Sequence, residues 1–282
     1  MKITIGLTTW TEHPALINNE QRPVTLNEYA QYLPTVEVDT FFYALPQVTT
    51  IQNWLAEVPE AFQFIVKAHR GMTLHERGQE KGELEQLFNR YRKTVAPLVA
   101  AGQLKTVLFQ FPPYFDASPQ DIEYLRLVRL WMGNLPIAIE LRNQTWYRPG
   151  TLKSLLAFCR ELHFTLVAAD EPHGTVTSVP FVLATTNPDL VMMRLHGQNT
   201  EGWINQGKSW RKTRTLYKYS PAELQAFCDQ INQLTPQPKE LCVIFNNNSG
   251  KDAAPNALQL QKMLDIHFTG LAPRSPEQID LF

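Results

Sequence analysis

The chain has 282 residues, 44 % of them hydrophobic and 19 % charged. That composition excludes intrinsic disorder for most of its length and suits one large α/β domain or two ordinary ones. Its 26 basic and 27 acidic residues leave a formal net charge of −1, which excludes bulk electrostatic attraction to nucleic acid or anionic lipid.

The first run, residues 2–8, reads as a strand and has neither the apolar stretch nor the cleavage site of a signal peptide. Seven more β-rich runs follow at 36–39, 63–67, 105–111, 137–142, 164–170, 190–196 and 241–246. Several are nearly continuous apolar stretches, the pattern of strands buried on both faces of a parallel sheet. Helical patterns lie between most of them. Residues 82–101 carry Leu84, Leu87, Phe88, Tyr91, Val95 and Leu98 on one stripe. Ser118-Pro119 and Ser220-Pro221 are helix starts, an N-cap followed by a first-turn proline. Residues 151–162 and 253–266 complete the set, whereas 171–189 holds Pro172, Gly174, Pro180 and Pro188 and is less helix-like. Eight strands alternating with helices predict a single-domain (β/α)8 TIM barrel over 1–270, followed by a flexible tail over 271–282. No apolar run approaches the roughly 18 residues of a membrane span. Cys159, Cys228 and Cys242 show no paired spacing and read as buried free thiols, so a cytoplasmic location without membrane contact is expected.

Residues two apart in a strand share a face. Glu37 pairs in this way with Asp39, Lys67 with His69, Glu140 with Arg142 and Arg194 with His196, while Gln110, Asp170 and Asn246 stand at the ends of their runs. In a TIM barrel those inward ends form the active-site floor. Seven of the eight strands therefore aim polar groups at one place, where a barrel built for stability alone would carry aliphatic residues. Mixed charge there suits an anionic substrate held by Lys67, Arg142 and Arg194, with Glu37 or Glu140 handling protons and His196 as a shuttle. A structural network of ion pairs is the alternative. Trp10, Tyr43 and Trp146 follow strand ends and are candidates to line the mouth. No cofactor is required; one Mg²⁺ or Mn²⁺ on Glu37, Glu140 and Asp170 is the metal arrangement to test. A cluster of zinc ions is disfavoured, since only His69 and His196 lie near strand ends.

These strand ends also carry a resemblance. Glu37-Val-Asp39 leading to Tyr43-Ala-Leu-Pro46, Lys67-Ala-His69-Arg70, Gln110-Phe-Pro-Pro113, Glu140-Leu-Arg142 with Trp146, Asp170, Arg194-Leu-His196-Gly197 and Phe245-Asn246-Asn247 resemble, in order and spacing, the YecE-like proteins, the domain of unknown function seventy-two. The resemblance spans nearly the whole chain and implies a (β/α)8 barrel but names no reaction. Two departures are Gly6-Leu-Thr-Thr-Trp10, where the family commonly has Gly-Thr-Ser-Gly-Trp, and Asp39, where it has Asn.

Two features lie outside the strand ends. Residues 202–222 hold Lys208, Arg211, Lys212, Arg214 and Lys218 without an acid, interleaved with Trp203, Trp210, Tyr217 and Tyr219. Basic heads with aromatic faces suit a phosphate backbone and exposed bases, and Trp210, Arg211 and Lys212 are the candidates there. The final Gln278-Ile279-Asp280-Leu281-Phe282 resembles the bacterial sliding-clamp-binding motif, an extended peptide docked through its Leu-Phe pair. Together these features predict a nucleic-acid-associated barrel, a phosphodiester hydrolase of DNA repair or replication tethered to the clamp. The rivals are an enzyme on a small phosphorylated or carboxylated metabolite and a non-catalytic DNA- or clamp-binding module.

Overall fold

The apolar runs close on themselves. In the computed structural model, which describes residues 1–76, 78–174, 178–204 and 213–274, eight parallel strands pair in sequence order, β8 returning to β1. They are β1 (Lys2–Thr8), β2 (Thr35–Val38), β3 (Gln63–Lys67), β4 (Leu104–Gln110), β5 (Ile137–Glu140), β6 (Phe164–Asp170), β7 (Leu190–Leu195) and β8 (Glu240–Phe245). The barrel expected from sequence is the fold found.

Among the described residues eight α-helices connect or follow the strands: α1 (Leu26–Ala30), α2 (Val48–Glu57), α3 (Lys81–Ala100), α4 (Pro119–Met132), α5 (Pro149–Glu161), α6 (Thr200–Ile204), α7 (Pro221–Gln233) and α8 (Ala253–Met263). Ser118 caps α4, and Ser220 with Glu223 forms a full capping box on α7, so both start signals act as expected. The short α1 and the threonine-rich α2 were not legible. Val48, Thr49, Thr50 and Ile51 are β-branched and helix-poor, and α2 holds its shape by packing on α3. The proline-bearing stretch between β6 and β7 has no helix among its described residues.

Period-two alternation sorts the strands into two cores. Ile65, Leu108, Ala138, Val167, Met192, Cys242 and Ile244 fill the barrel interior. Their outward neighbours, among them Val66, Val107, Ile139, Leu166 and Val243, pack under the helices. All three cysteines are buried free thiols. Burial raises Cys159 to about 12 and Cys242 to about 11, which keeps both chemically quiet. The floor opposite the mouth is closed by a buried Lys105–Glu240 ion pair on which Thr4 also donates. The chain beyond 270 does not leave the barrel at once. The Ala272 amide donates to Ala30 (3.0 Å), and Arg274 lies 4.6 Å over the Tyr32 ring. Among the described residues no helix is long and apolar enough to cross a membrane.

Candidate active site at the barrel mouth

Inward parity determines which polar side chains meet. Below the mouth, fully buried Arg194 of β7 grips Glu37 of β2 with two bonds, from Nε to Oε2 (2.8 Å) and from Nη2 to Oε1 (2.5 Å). Its Nη1 donates to Oε2 of Glu140 on β5. The other oxygen of Glu140 accepts from Arg142, whose Nη1 in turn donates to Glu171, just past β6. Five side chains thus alternate in sign: Glu37, Arg194, Glu140, Arg142, Glu171.

Three carboxylates against two guanidiniums leave this chain one charge short of neutral, and position along it decides which acid carries the strain. Glu140, in the middle, touches two guanidiniums; burial alone would raise its pKa, but Arg142 and Arg194 hold it well below the usual range. The ends touch one each. Burial prevails there, pushing Glu37 up to about 7 against Arg194 and Glu171 up to about 6 against Arg142. A proton taken up by this network goes to its ends, to Glu37 before Glu171.

Above it opens a cleft of about 310 Å³ lined by Asp39, Phe42, Tyr43, Lys67, His75, Gln110, Arg142, His196, Arg214, Thr215 and Asn246. Three cations face it. Of the acids, only Asp39 does so among the described residues, because Glu37, Glu140 and Glu171 are withdrawn beneath. Lys67 Nζ stands 3.5 Å from Asp39 Oδ1 and 5.2 Å from the Phe42 ring centre. That Asp39 oxygen is buried and has no hydrogen-bond partner. Trp203 of α6 lies against Arg214 at 3.9 Å and Arg142 at 5.6 Å, which sets α6 beside the mouth. Burial and the neighbouring Arg142 lower Arg214 to about 9, still protonated at neutral pH.

The two histidines of the cleft are neutral. Burial first, then Lys67 and Arg142, lowers His75 to about 4, and burial with Arg142 lowers His196 well below its ordinary value. Arg142 Nη2 lies 3.0 Å from His196 Nε2 and can only donate, so Nε2 accepts and the imidazole proton sits on Nδ1. The Asn246 amide, 2.8 Å from Nδ1, therefore presents its oxygen to the ring and its NH2 toward Thr8, 2.9 Å away. Gly197 follows with φ +92°, where a Cβ would fall 2.3 Å from that of Tyr217; only glycine lets the chain turn here.

The strand-end expectation thus brings Asp39, Tyr43, Lys67, Gln110, Arg142, His196 and Asn246 to one cleft, with Glu37, Glu140 and Arg194 directly beneath. Other expectations are corrected. Asp170 has outward parity, accepts from Tyr219 (2.5 Å) and Gln198 (2.6 Å), and does not join Glu37 and Glu140. Glu171 is the inward residue instead, and the series Thr165, Val167, Ala169, Glu171 was the signal for it. Trp146 is core, its indole N–H donating to Phe115 O (2.9 Å) and its ring stacked on Phe115, so it cannot stack on a ligand. Asn247 is buried and spends its amide on Tyr217 O and Asn256. His69 accepts from the Gly71 amide, Arg70 pairs with Glu76 (2.7 Å), and Trp10 packs edge-on against Trp54. His75 and Arg214 come from loops and have no periodic signal. Trp210, Arg211, Lys212 and the terminal Gln278, Ile279, Asp280, Leu281 and Phe282 lie outside the described residues.

Glu140, Glu171 and His196 each offer a ligand atom within 4.8 Å of the others. Arg142 touches all three, so a permanent cation already holds the position an ion would take. With all four oxygens of Glu37 and Glu140 also facing guanidinium nitrogens, neither donor set fits a divalent metal while the arginines are in place.

Residues 4–280 match the family model described as protein of unknown function DUF72. The chain is 40 % identical to the UPF0759 protein YunF of Bacillus subtilis (strain 168), over 99 % of this chain and all of that one. It is 24 % identical to the UPF0759 protein YecE of Escherichia coli (strain K12), over 77 % of this chain and 85 % of that one. Among solved structures, a DUF72 family protein from Enterococcus faecalis V583 is similar, with TM-score 0.89 and 39 % identity over 98 % of this chain and all of that one. Another from Thermotoga maritima MSB8 has TM-score 0.79 and 27 % identity over 94 % of this chain and all of that one.

Proposed function

The chain belongs to the DUF72 family, and we propose that it is an enzyme acting on a small phosphorylated or carboxylated metabolite bound in the barrel mouth. The observation that carries this is the division of charge: Lys67, Arg142 and Arg214 face one small cleft while every neighbouring acid but Asp39 is turned away beneath it. A volume of about 310 Å³ suits a compact anion. Of the aromatics in the 202–222 segment, Trp203 and Tyr219 are buried and not open to a base. Cations aimed at a ligand whose charge grows during reaction stabilise it without reorganisation. Asp39, with one oxygen unbonded beside Lys67, is the group placed to take or give a proton.

Calorimetric titration with inorganic phosphate tests the reading. Lys67→Met should weaken binding about 10- to 100-fold, the loss of one charge-assisted hydrogen bond. Asp39→Asn should tighten it by removing the acid from the lining. Absence of binding at tens of millimolar, or insensitivity to both substitutions, overturns the assignment.

The terminal pentapeptide supports a second, separate reading, that the enzyme is delivered to a sliding clamp. Deleting residues 278–282 should abolish clamp capture in a pull-down with the full chain as control; unchanged capture ends that reading.

A further inference from the structure

Beside the cationic cleft lies a second cavity of about 630 Å³, walled by the segments that follow β1 and β8. Thr215 lines both cavities, and its hydroxyl meets that of Ser249 at 2.6 Å where they adjoin. The chemistry changes abruptly there. The cations of the outer cavity are already matched: Lys251 lies 3.2 Å from Glu20, and Arg22 is paired with Glu28. Glu12 accepts from Asn248 and has no ion-pair partner among the described residues. The described lining contains no aromatic ring, only carboxylates, amides, hydroxyls, prolines and the two matched cations.

A lining with as many carboxylates as cations offers a second phosphate no net attraction and gives a base nothing to stack on. It suits hydroxyl groups, which donate to carboxylates and exchange hydrogen bonds with amides. We infer that the ligand of this barrel is bipartite, with an anionic head at Lys67, Arg142 and Arg214 and an uncharged polyhydroxylated body reaching past Thr215 toward Glu12 and Asn248. The substrate class is a sugar or polyol bearing one phosphate or carboxylate. This rests on the anion-binding reading of the mouth and adds to it a direction and a second subsite. It also opposes a polyanionic strand leaving by that route, whose next phosphate would meet Glu12.

The test compares the affinities of inorganic phosphate, glucose 6-phosphate and a short single-stranded oligonucleotide for the whole chain. Glucose 6-phosphate should bind about tenfold or more tightly than phosphate, the worth of one or two added hydrogen bonds. Ser249→Trp, at an exposed position on the junction, should bring that ratio close to one. Equal affinity for phosphate and glucose 6-phosphate overturns the outer subsite while leaving the anion site standing. So does a ratio that Ser249→Trp does not move, or an oligonucleotide that binds more tightly than the sugar phosphate. Failure of both phosphate and glucose 6-phosphate to bind overturns the anion site, and the bipartite ligand with it.

Discussion

Arg194→Met should destabilise the protein by about 3–5 kcal/mol, the usual cost of removing one partner from a buried charge network. At this chain length that lowers the melting temperature by about 10 °C. The reason is local. Among the described residues Arg194 alone bonds Glu37, and without it the fully buried Glu37 keeps only the more distant charge of Lys67, while Glu140 keeps Arg142. Adding Glu37→Gln to the Arg194→Met chain should recover part of the loss, because the stranded charge is then absent. A melting temperature within 2 °C of wild type for Arg194→Met would show that the network contributes little to the fold.

The position of Glu37 gives a second large effect, this time on pH. Its folded-state pKa, raised to about 7 by burial against the pull of Arg194, lies above the ordinary carboxyl value of 4.5. The folded chain therefore keeps a proton that the unfolded chain has released. Stability from this source is complete below pH 4.5 and is lost as pH rises through 7, a change of about 3 kcal/mol. Glu37→Gln has no such proton to lose. The stability difference between the two proteins should shift by that amount in favour of the variant between pH 5 and pH 8, measured by urea titration. His13 and His75, each lowered to about 4 mainly by burial, act in the opposite sense between pH 4 and 6.5 and cancel in the comparison. A difference that does not change with pH would place Glu37 in the ionised form throughout.

The barrel was legible because parallel strands buried on two faces must read as short apolar runs, and helices between them must show one stripe. Polar residues interrupting those runs gave the site its address for the same reason: Glu37, Glu140 and Arg194 stand where only packing would otherwise be expected. Their partnerships were not legible. Register places Glu37 beside Ile65 and Arg194 beside Ile244, so Glu37 and Arg194 meet across the lumen, where sequence spacing carries no information. Asp170 is conspicuous in the sequence because it closes an apolar run, although strand parity favours its neighbour Glu171. His75 and Arg214 reach the mouth from irregular connections whose path depends on the whole fold. Trp146 misled because an aromatic after a strand end serves a rim and a core equally well, and only the Phe115 carbonyl that accepts its N–H settles which.

Arg142 is held from below by Glu140 and Glu171 and from the side by His196 and Trp203. A free arginine loses rotamer entropy of up to about 2 kcal/mol when a ligand fixes it. Here that entropy is already spent in folding, before any ligand arrives. Anion capture at Arg142 should therefore depend weakly on temperature for its side-chain entropy, and the freezing of ligand and solvent, rather than of the protein, will limit affinity.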